Sequence, residues 1–271
     1  MTTQPSPPAD LDSAAPAQKA ATLRALHVPG RPLVLPNAWD AASARMVVDA
    51  GFPVVATSSA ATSSILGYAD GEGTPVDQVL AATARIVRAV DVPVTVDFER
   101  GYGLDADELV ERFAGTGAVG LNLEDSDPAT GEMVDVDRQA DFLAAVRQAA
   151  VALGVDLVIN ARIDVFLRQA GSVTEQGAGA LERGTRYLAA GADCVYPIGL
   201  GDAAVVRELT GGLNGPVNVG FGRSGERPLA GLAALGVARV SFGPSLQRHL
   251  YGTFGAAIFA AVAADEDPFG R

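Results

Sequence analysis

From Arg31 onward the chain repeats one pattern: a short run of β-branched and small apolar residues, then a longer stretch with apolar residues three and four apart. Such alternation is what βα units around parallel strands require. Eight runs can be counted, at 33–35, 54–57, 94–98, 120–123, 157–161, 194–196, 217–219 and 240–242. Helical spacing is clearest over 41–50, 76–90, 106–114, 138–152 and 181–190. Gly51, Gly117, Gly154 and Gly191 fall before the next strand, where a left-handed cap suits glycine. Eight parallel strands with right-handed crossovers close most naturally into a (β/α)8 barrel, an α/β fold; a doubly wound open sheet is the alternative. A length of 271 residues with 48% hydrophobic content suits one such domain.

Composition narrows the function. A net charge of −12 with no basic cluster argues against a nucleic acid or anionic membrane partner and for a small molecule. No apolar run approaches the roughly 20 residues of a membrane span. The first 16 residues, rich in Pro, Ala, Ser and Thr, read as a flexible tail rather than a signal peptide. One cysteine, Cys194, excludes a disulfide framework and fits a reducing cytoplasm. Lys19, in the N-terminal segment, is the only lysine, which argues against Schiff-base aldol chemistry on the barrel. Two histidines, His27 and His249, cannot readily assemble a triad or a transition-metal site.

In a barrel the active site lies beyond the C-terminal ends of the strands. There the chain places Thr57 to Ser64, then Asp97 and Glu99, then Glu124 and Asp125, then Arg162 and Asp164, and Asn218. Carboxylates on separate strand ends are what Mg²⁺ takes, with one or two direct ligands and the rest reached through water. Asp97, Glu99 and Glu124 together point to a cation, because three acids at one mouth repel one another without one. Asp125 and Asp164 read instead as solvated caps.

Six segments carry a resemblance to the isocitrate lyase and phosphoenolpyruvate mutase superfamily: Pro36-Asn37-Ala38-Trp39-Asp40, Thr57-Ser58-Ser59-Ala60, Leu66-Gly67-Tyr68-Ala69-Asp70, Val96 through Gly103, Asn122-Leu123-Glu124-Asp125-Ser126 and Asn160-Ala161-Arg162-Ile163-Asp164. The resemblance implies a barrel over residues 17–245 and a C-terminal helix, within 246–271, exchanged between subunits of a homo-oligomer, a dimer or a tetramer built from dimers. By the same resemblance Asp97 is the direct Mg²⁺ (or Mn²⁺) ligand, and Asp70, Glu99 and Glu124 hold metal-bound waters. Ser58, Ser59 and Ala60 match a loop that binds the carboxylate or oxyanion of a 2-oxo acid, and Arg162 a guanidinium facing the substrate. Tyr102 is a candidate for proton transfer or positioning. Asn218 joins the expected substrate contacts as a strand-end residue.

Departures from the family decide the expected chemistry. Its isocitrate-cleaving members carry a Lys-Lys/Arg-Cys-Gly-His loop after the Glu-Asp pair; here Ser126-Asp127-Pro128-Ala129-Thr130-Gly131-Glu132-Met133 contains neither cysteine nor lysine. The Lys- and Asn-bearing loop of the phosphonate branch is missing too. Cys194, at the start of a strand, reads as a buried thiol that cannot substitute. The expectation is a C–C lyase or decarboxylase acting on a 2-oxo or 2-hydroxy di- or tricarboxylate through an enolate, with Arg162, Tyr102 and Glu124 as its catalytic groups. P–C bond mutase or hydrolase chemistry on phosphonopyruvate, or a non-catalytic 2-oxo acid binder, are the alternatives. A phosphate cradle at Val219-Gly220-Phe221-Gly222 and Phe242-Gly243-Pro244 is a third, by analogy with other barrels. The distal end of a substrate is expected to meet the 126–133 loop and the sixth and seventh strand ends.

Overall fold

The computed structural model describes residues 14–169, 171–222 and 229–269 and contains all eight expected strands. The first is split into β1 (Leu33–Leu35) and β2 (Asn37–Ala38), because Pro36 has no N–H to give to a ladder. After it come β3 (Val55–Thr57), β4 (Val94–Asp97), β5 (Gly120–Glu124), β6 (Val158–Ile163), β7 (Cys194–Pro197), β8 (Asn218–Gly220) and β9 (Arg239–Ser241). Strands β2 to β7 pair in chain order, and β9 pairs with both β1 and β8, all in parallel. A parallel bridge between Val195 and Val217 joins β7 to β8 and closes the ring. The fold is therefore a (β/α)8 barrel and not an open sheet.

Helix α1 (Ala14–Ala25) begins inside the stretch expected to be tail; residues 1–13 lie outside the described part. Its Leu23 packs with Leu33, Leu35, Val54, Val119 and Val158 at the end of the barrel opposite the strand C-termini. Gly120 makes room for this: a Cβ there would lie 2.7 Å from Leu23 Cδ2. Arg24 locks the helix in place through Asp156 (2.6 Å) and Asp193 (2.7 Å), and Asp193 also takes Arg147 and the Ile159 N–H.

The outer layer is formed by α2 (Ala41–Asp49), α3 (Ser59–Leu66), α4 (Val76–Arg88), α5 (Ala106–Ala114), α6 (Val136–Leu153), α7 (Val165–Arg168), α8 (Val173–Ala189), α9 (Ala203–Gly212) and α10 (Leu229–Ala234). Each amphipathic helix turns one face to the strands; α5 buries Leu109, Val110 and Phe113, worth roughly 1.5 to 3 kcal/mol each. Side-chain caps fix the βα turns: Asp40 and Ser172 form capping boxes, and Asp105, Asp135 and Asp202 cap α5, α6 and α9. The serine-rich stretch after β3 is helical, not a loop, since Ser58 is extended and caps α3. Helix α11 (Ser245–His249), a π-helical segment (Leu250–Gly255) and α12 (Ala256–Ala263) follow β9 and expose Tyr251, Phe254, Phe259 and Val262. No helix among the described residues is long and apolar enough to cross a membrane.

His27 follows α1 into the interior. One ring nitrogen, Nδ1, donates to Leu23 O at 2.8 Å, which leaves Nε2 to accept from Arg239 Nη1 at 3.5 Å. Burial, and then the Arg239 charge, lower its pKa from 6.5 to about 4. Between those values the unfolded chain binds the proton and the folded one does not, so this residue makes stability fall as pH drops from about 6.5 to about 4. At about 1.4 kcal/mol per pKa unit the loss is on the order of 3 kcal/mol. Urea unfolding of wild type and His27→Gln across this window should show the shallower pH slope in the variant; equal slopes would mean His27 titrates normally.

Candidate active site

The closed ring brings the C-terminal ends of its strands to one mouth. A cavity of about 170 Å³ opens there, lined by Thr57, Ser58, Ser59, Ala60, Asp97 and Arg162 from the expected set, with Asp70 at its exposed rim. Sequence reasoning missed its other walls. Asn37, Asn122, Tyr196, Ile198, Ser241 and Arg248 line it too. Asn37 clamps the mouth, donating to Thr57 O at 2.6 Å and accepting from the Phe242 and Gly243 N–H groups at 2.7 and 2.9 Å. The inward alternation of strand residues could have signalled Asn122, Tyr196 and Ser241. Nothing local marks Arg248, which follows the last strand on α11.

Asp97 ends β4 and is held by its neighbours. Its N–H donates to Thr57 Oγ1 at 3.1 Å, and its Oδ2 accepts from Ser59 N–H (3.1 Å) and Ser59 Oγ (3.0 Å). Partial burial, and next the Asp97 charge, raise the pKa of Asp70. Two carboxylates that repel one another in an all-oxygen setting fit a hard divalent cation taking one or two acids and several waters. Among the described residues no three His, Cys, Asp or Glu side chains are grouped so as to hold a metal ion jointly. The donor set thus suits few direct acids, with water completing the shell.

Glu99 and Glu124 are buried but do not line the cavity. Burial pushes Glu99 up to about 7, against hydrogen bonds from the Tyr102 hydroxyl (2.6 Å) and the Glu72 N–H. Tyr102 spends its hydroxyl on Glu99, and burial with that neighbouring acid holds the phenol far above its ordinary value. Glu124 lies 2.5 Å from Arg162 Nη1; burial pushes its carboxyl up and Arg162 pulls it down. Asn218 is fully buried beside Ser241 (3.4 Å), outside the cavity lining.

Asp125 and Asp164 are not solvated caps. Both are fully buried and belong to a chain of charges in which the two acids are flanked by Arg162 and Arg183. Arg162 donates to both Asp164 oxygens, at 2.7 and 3.0 Å. Asp164 also accepts from Ser126 Oγ at 2.6 Å, and its N–H donates to Asp125 Oδ1 at 2.8 Å. Asp125 Oδ2 takes Arg183 (3.0 Å) and the Tyr187 hydroxyl (2.8 Å) from α8. Burial works against the Arg162 charge, yet Glu124, Asp164 and Asp97 together hold its pKa above the ordinary value.

The 126–133 turn does not reach this cavity. It is closed on itself by a Ser126–Met133 bridge and by Asp127, whose carboxylate accepts from the Ala129 and Thr130 N–H groups. Asp127 to Ala129 face a separate cavity of about 440 Å³ with Glu72, Arg100 and Arg138. The distal wall of the main cavity is therefore formed by the β7 end and α11. Of the suggested phosphate cradle, Gly243 and Pro244 line the mouth, whereas Val219, Gly220, Phe221 and Gly222 do not.

Fold and site together define a (β/α)8 barrel with a carboxylate- and arginine-lined mouth. Residues 23–262 match the phosphoenolpyruvate phosphomutase family, and the chain belongs to it, within the isocitrate lyase and phosphoenolpyruvate mutase superfamily. A Burkholderia cenocepacia protein provisionally assigned as a phosphonomutase has a crystal structure with a TM-score of 0.85, at 44% identity over 89% of this chain and 99% of that one. An uncharacterized protein of Mycobacterium tuberculosis is 34% identical over 223 residues, 80% of each chain. An oxaloacetate decarboxylase of Ectopseudomonas mendocina is 27% identical over 237 residues, 85% of this chain and 76% of its own.

Removing the Asp125 carboxylate would leave Arg183, Tyr187 and the Asp164 N–H without their buried partner. Asp125→Ala should lose about 3 to 5 kcal/mol of stability in urea unfolding. A loss below about 1 kcal/mol would place this network among interactions that contribute little.

Proposed function

We propose that this chain is a Mg²⁺-dependent enzyme that breaks a C–C bond in a 2-oxo or 2-hydroxy di- or tricarboxylate through an enolate, and that β-carboxylated 2-oxo acids of the oxaloacetate kind are its preferred substrates. The observation that carries the reading is the composition of one cavity: Asp97 and Asp70 on one side, and Arg162, locked by two acids, on the other. Asp97 would hold Mg²⁺ or Mn²⁺ directly, with Asp70 acting on its waters, while Glu99 and Glu124, outside the cavity lining, would act only through the residues they hold. A bound cation of this kind supplies charge stabilisation at the 2-oxo oxygen.

The remaining work falls to the chain's own groups. Arg162 presents a planar fork to a substrate carboxylate, in an orientation that Glu124 and Asp164 leave little freedom to change. Ser58 and Ala60, at the start of α3, offer donors toward the oxo-acid end, while Ser59 gives its N–H and hydroxyl to Asp97. Arg248, which makes no ion pair among the described residues, is suited to a second carboxylate. A tricarboxylate lyase needs a base for the proton of the 2-hydroxyl and an acid for the departing carbon, but Glu124 is paired with Arg162 and Tyr102 donates to Glu99. Loss of CO₂ from a β-carboxylated oxo acid needs no such base, and water can protonate the enolate it leaves. Relatedness to an oxaloacetate decarboxylase supports the same choice. The exposed apolar side chains of 246–264 support pairing with a second copy, as does the resemblance, and the lone buried Cys194 suits a cytoplasmic protein.

Phosphonopyruvate chemistry is the second reading, favoured by the 44% identity to the provisionally assigned phosphonomutase. Turnover with Mg²⁺ should be measured side by side on oxaloacetate, isocitrate, 2-methylisocitrate and phosphonopyruvate. Pyruvate formation from oxaloacetate should dominate. Inorganic phosphate release or phosphoenolpyruvate formation from phosphonopyruvate as the faster reaction would replace the first reading with the second. Rapid glyoxylate or pyruvate release from a tricarboxylate would show that a base does operate.

Two substitutions probe the assigned roles. Asp97→Ala should abolish Mg²⁺-dependent turnover; full activity in the presence of chelator would remove the metal from the scheme. Arg162→Lys keeps the charge but not the paired donors. Each charged hydrogen bond lost costs about 1.5 to 3 kcal/mol, roughly tenfold or more in kcat/KM. Wild-type kinetics in that variant would make Arg162 a purely structural residue.

A further inference from the structure

Glu72 has no role in the scheme above, yet both its backbone and its carboxylate bond the turn after β4. Residues 67–73, which carry Asp70, run over the surface with Tyr68, Ala69 and Asp70 exposed, so side-chain burial does not hold them. Beyond the segment, the Thr74 hydroxyl donates to Ser63 Oγ at 2.8 Å. Near its start, Gln78 Nε2 donates to the Tyr68 hydroxyl at 2.8 Å. Between these two anchors Glu72 ties the segment to the barrel through its side chain at the turn after β4, and Asp70 meets the Ser59 side chain.

The tie is reciprocal. The Glu72 N–H donates to Glu99 Oε2, and Glu72 Oε1 in turn accepts from the N–H groups of Arg100 (3.1 Å) and Tyr102 (2.6 Å). Glu99 Oε1 accepts from the Tyr102 hydroxyl at 2.6 Å, which closes the set. Glu72, Glu99 and Tyr102 have φ of 59°, 48° and 58°, a region disfavoured for any residue with a Cβ. Strained residues joined directly to one another persist where their surroundings over-determine them, and such clusters gather at functional sites. Gly73 keeps the turn tight: a Cβ there would lie 2.6 Å from Ala69 O. Asp70 is two residues from Glu72 in that turn, so displacing one displaces the other.

We propose that Glu72 is a positioning residue, a latch that fixes the 67–73 segment on the turn after β4 and thereby sets Asp70 beside Asp97. The effect on Asp70 rests on the metal reading given above, whereas the latch itself rests on geometry alone. Removing the Glu72 carboxylate should free the segment, and Asp70 should then contribute as little as if it were absent. Glu72→Gln keeps a side-chain oxygen that accepts the same two N–H groups and should restore the latch.

The test is a double-mutant cycle read by Mn²⁺ titration calorimetry, with amide hydrogen exchange at Arg100 and Tyr102 followed in the same proteins. Glu72→Ala should weaken Mn²⁺ binding about tenfold and speed exchange at both amides, while Glu72→Gln stays near wild type in both. In an Asp70→Ala background, Glu72→Ala should add no further loss of Mn²⁺ affinity. Additive losses, or wild-type affinity in Glu72→Ala, would overturn the positioning role. A wild-type protein that binds no Mn²⁺ would overturn the metal reading instead. Exchange would still decide the latch in that case, faster at both amides if it exists and unchanged if it does not.

Discussion

The mouth of this barrel depends on a buried run of charges from the cavity to the outer helices, in which two adjacent acids are flanked by arginines. Arg162 is held by Glu124 and Asp164, Asp164 by the Ser126 hydroxyl, and Asp125 by Arg183, Tyr187 and the Asp164 N–H. Desolvating so many ions is costly, and the cost is met only while every member keeps its partners. The arrangement therefore couples β5, β6 and α8. It also aims one guanidinium at the cavity in a fixed orientation, a condition for recognising a planar carboxylate by paired hydrogen bonds. Catalytic geometry and fold stability share these residues, so neither can change alone.

Much of this was legible in the chain because parallel strands leave a strong periodic signal. All eight strands lie where the apolar runs fall, and α5 has the expected bounds. Asp97, Arg162 and the Ser58 to Ala60 segment were found because a barrel puts strand ends at the site. Asp125 and Asp164 were misread because position along a strand does not reveal what will pack over it. Asp125 is covered by Arg183 and Tyr187, some 60 residues further on, and Asp164 is bonded by Ser126, from the turn after β5. Helix α3 was missed for a related reason: its serines look like loop until Ser58 is seen to cap it. The Glu99 pattern told of an acid but not of its direction, which the Glu72 N–H and the Tyr102 hydroxyl decide.

Loop chemistry separates this chain from the lyases it resembles. The 126–133 turn satisfies its own backbone through Asp127 and sends Ser126 down to Asp164, while Arg168 donates to the same serine at 2.9 Å. A turn engaged in this way stabilises the buried charges beneath it and contributes no proton-transfer group to the cavity. Reactions that need acid–base chemistry at a departing carbon would have to recruit it elsewhere. Those in which CO₂ departs unaided need charge stabilisation at the mouth and a proton for the enolate, which water can supply.

The interior below the cavity adds a last constraint. Arg239 is fully buried on β9 without an acid beside it, bonded to Asn122 Oδ1 (3.3 Å) and His27, and burial lowers its pKa. Asn122 Oδ1 also accepts from Asn160 Nδ2 at 2.8 Å, and Asn122 Nδ2 faces Asp97 at 3.5 Å. A buried cation with only neutral partners is expensive, and its nearest balance among the acids is Asp97 above it. Arg162 from β6 and Arg248 from α11 share the cavity lining with Asp97 and Asp70, and Arg239 lies buried outside that lining. An anionic ligand entering this field would meet both attraction and repulsion. It would therefore be oriented before any specific hydrogen bond forms, with its carboxylates toward the arginines and away from the two acids.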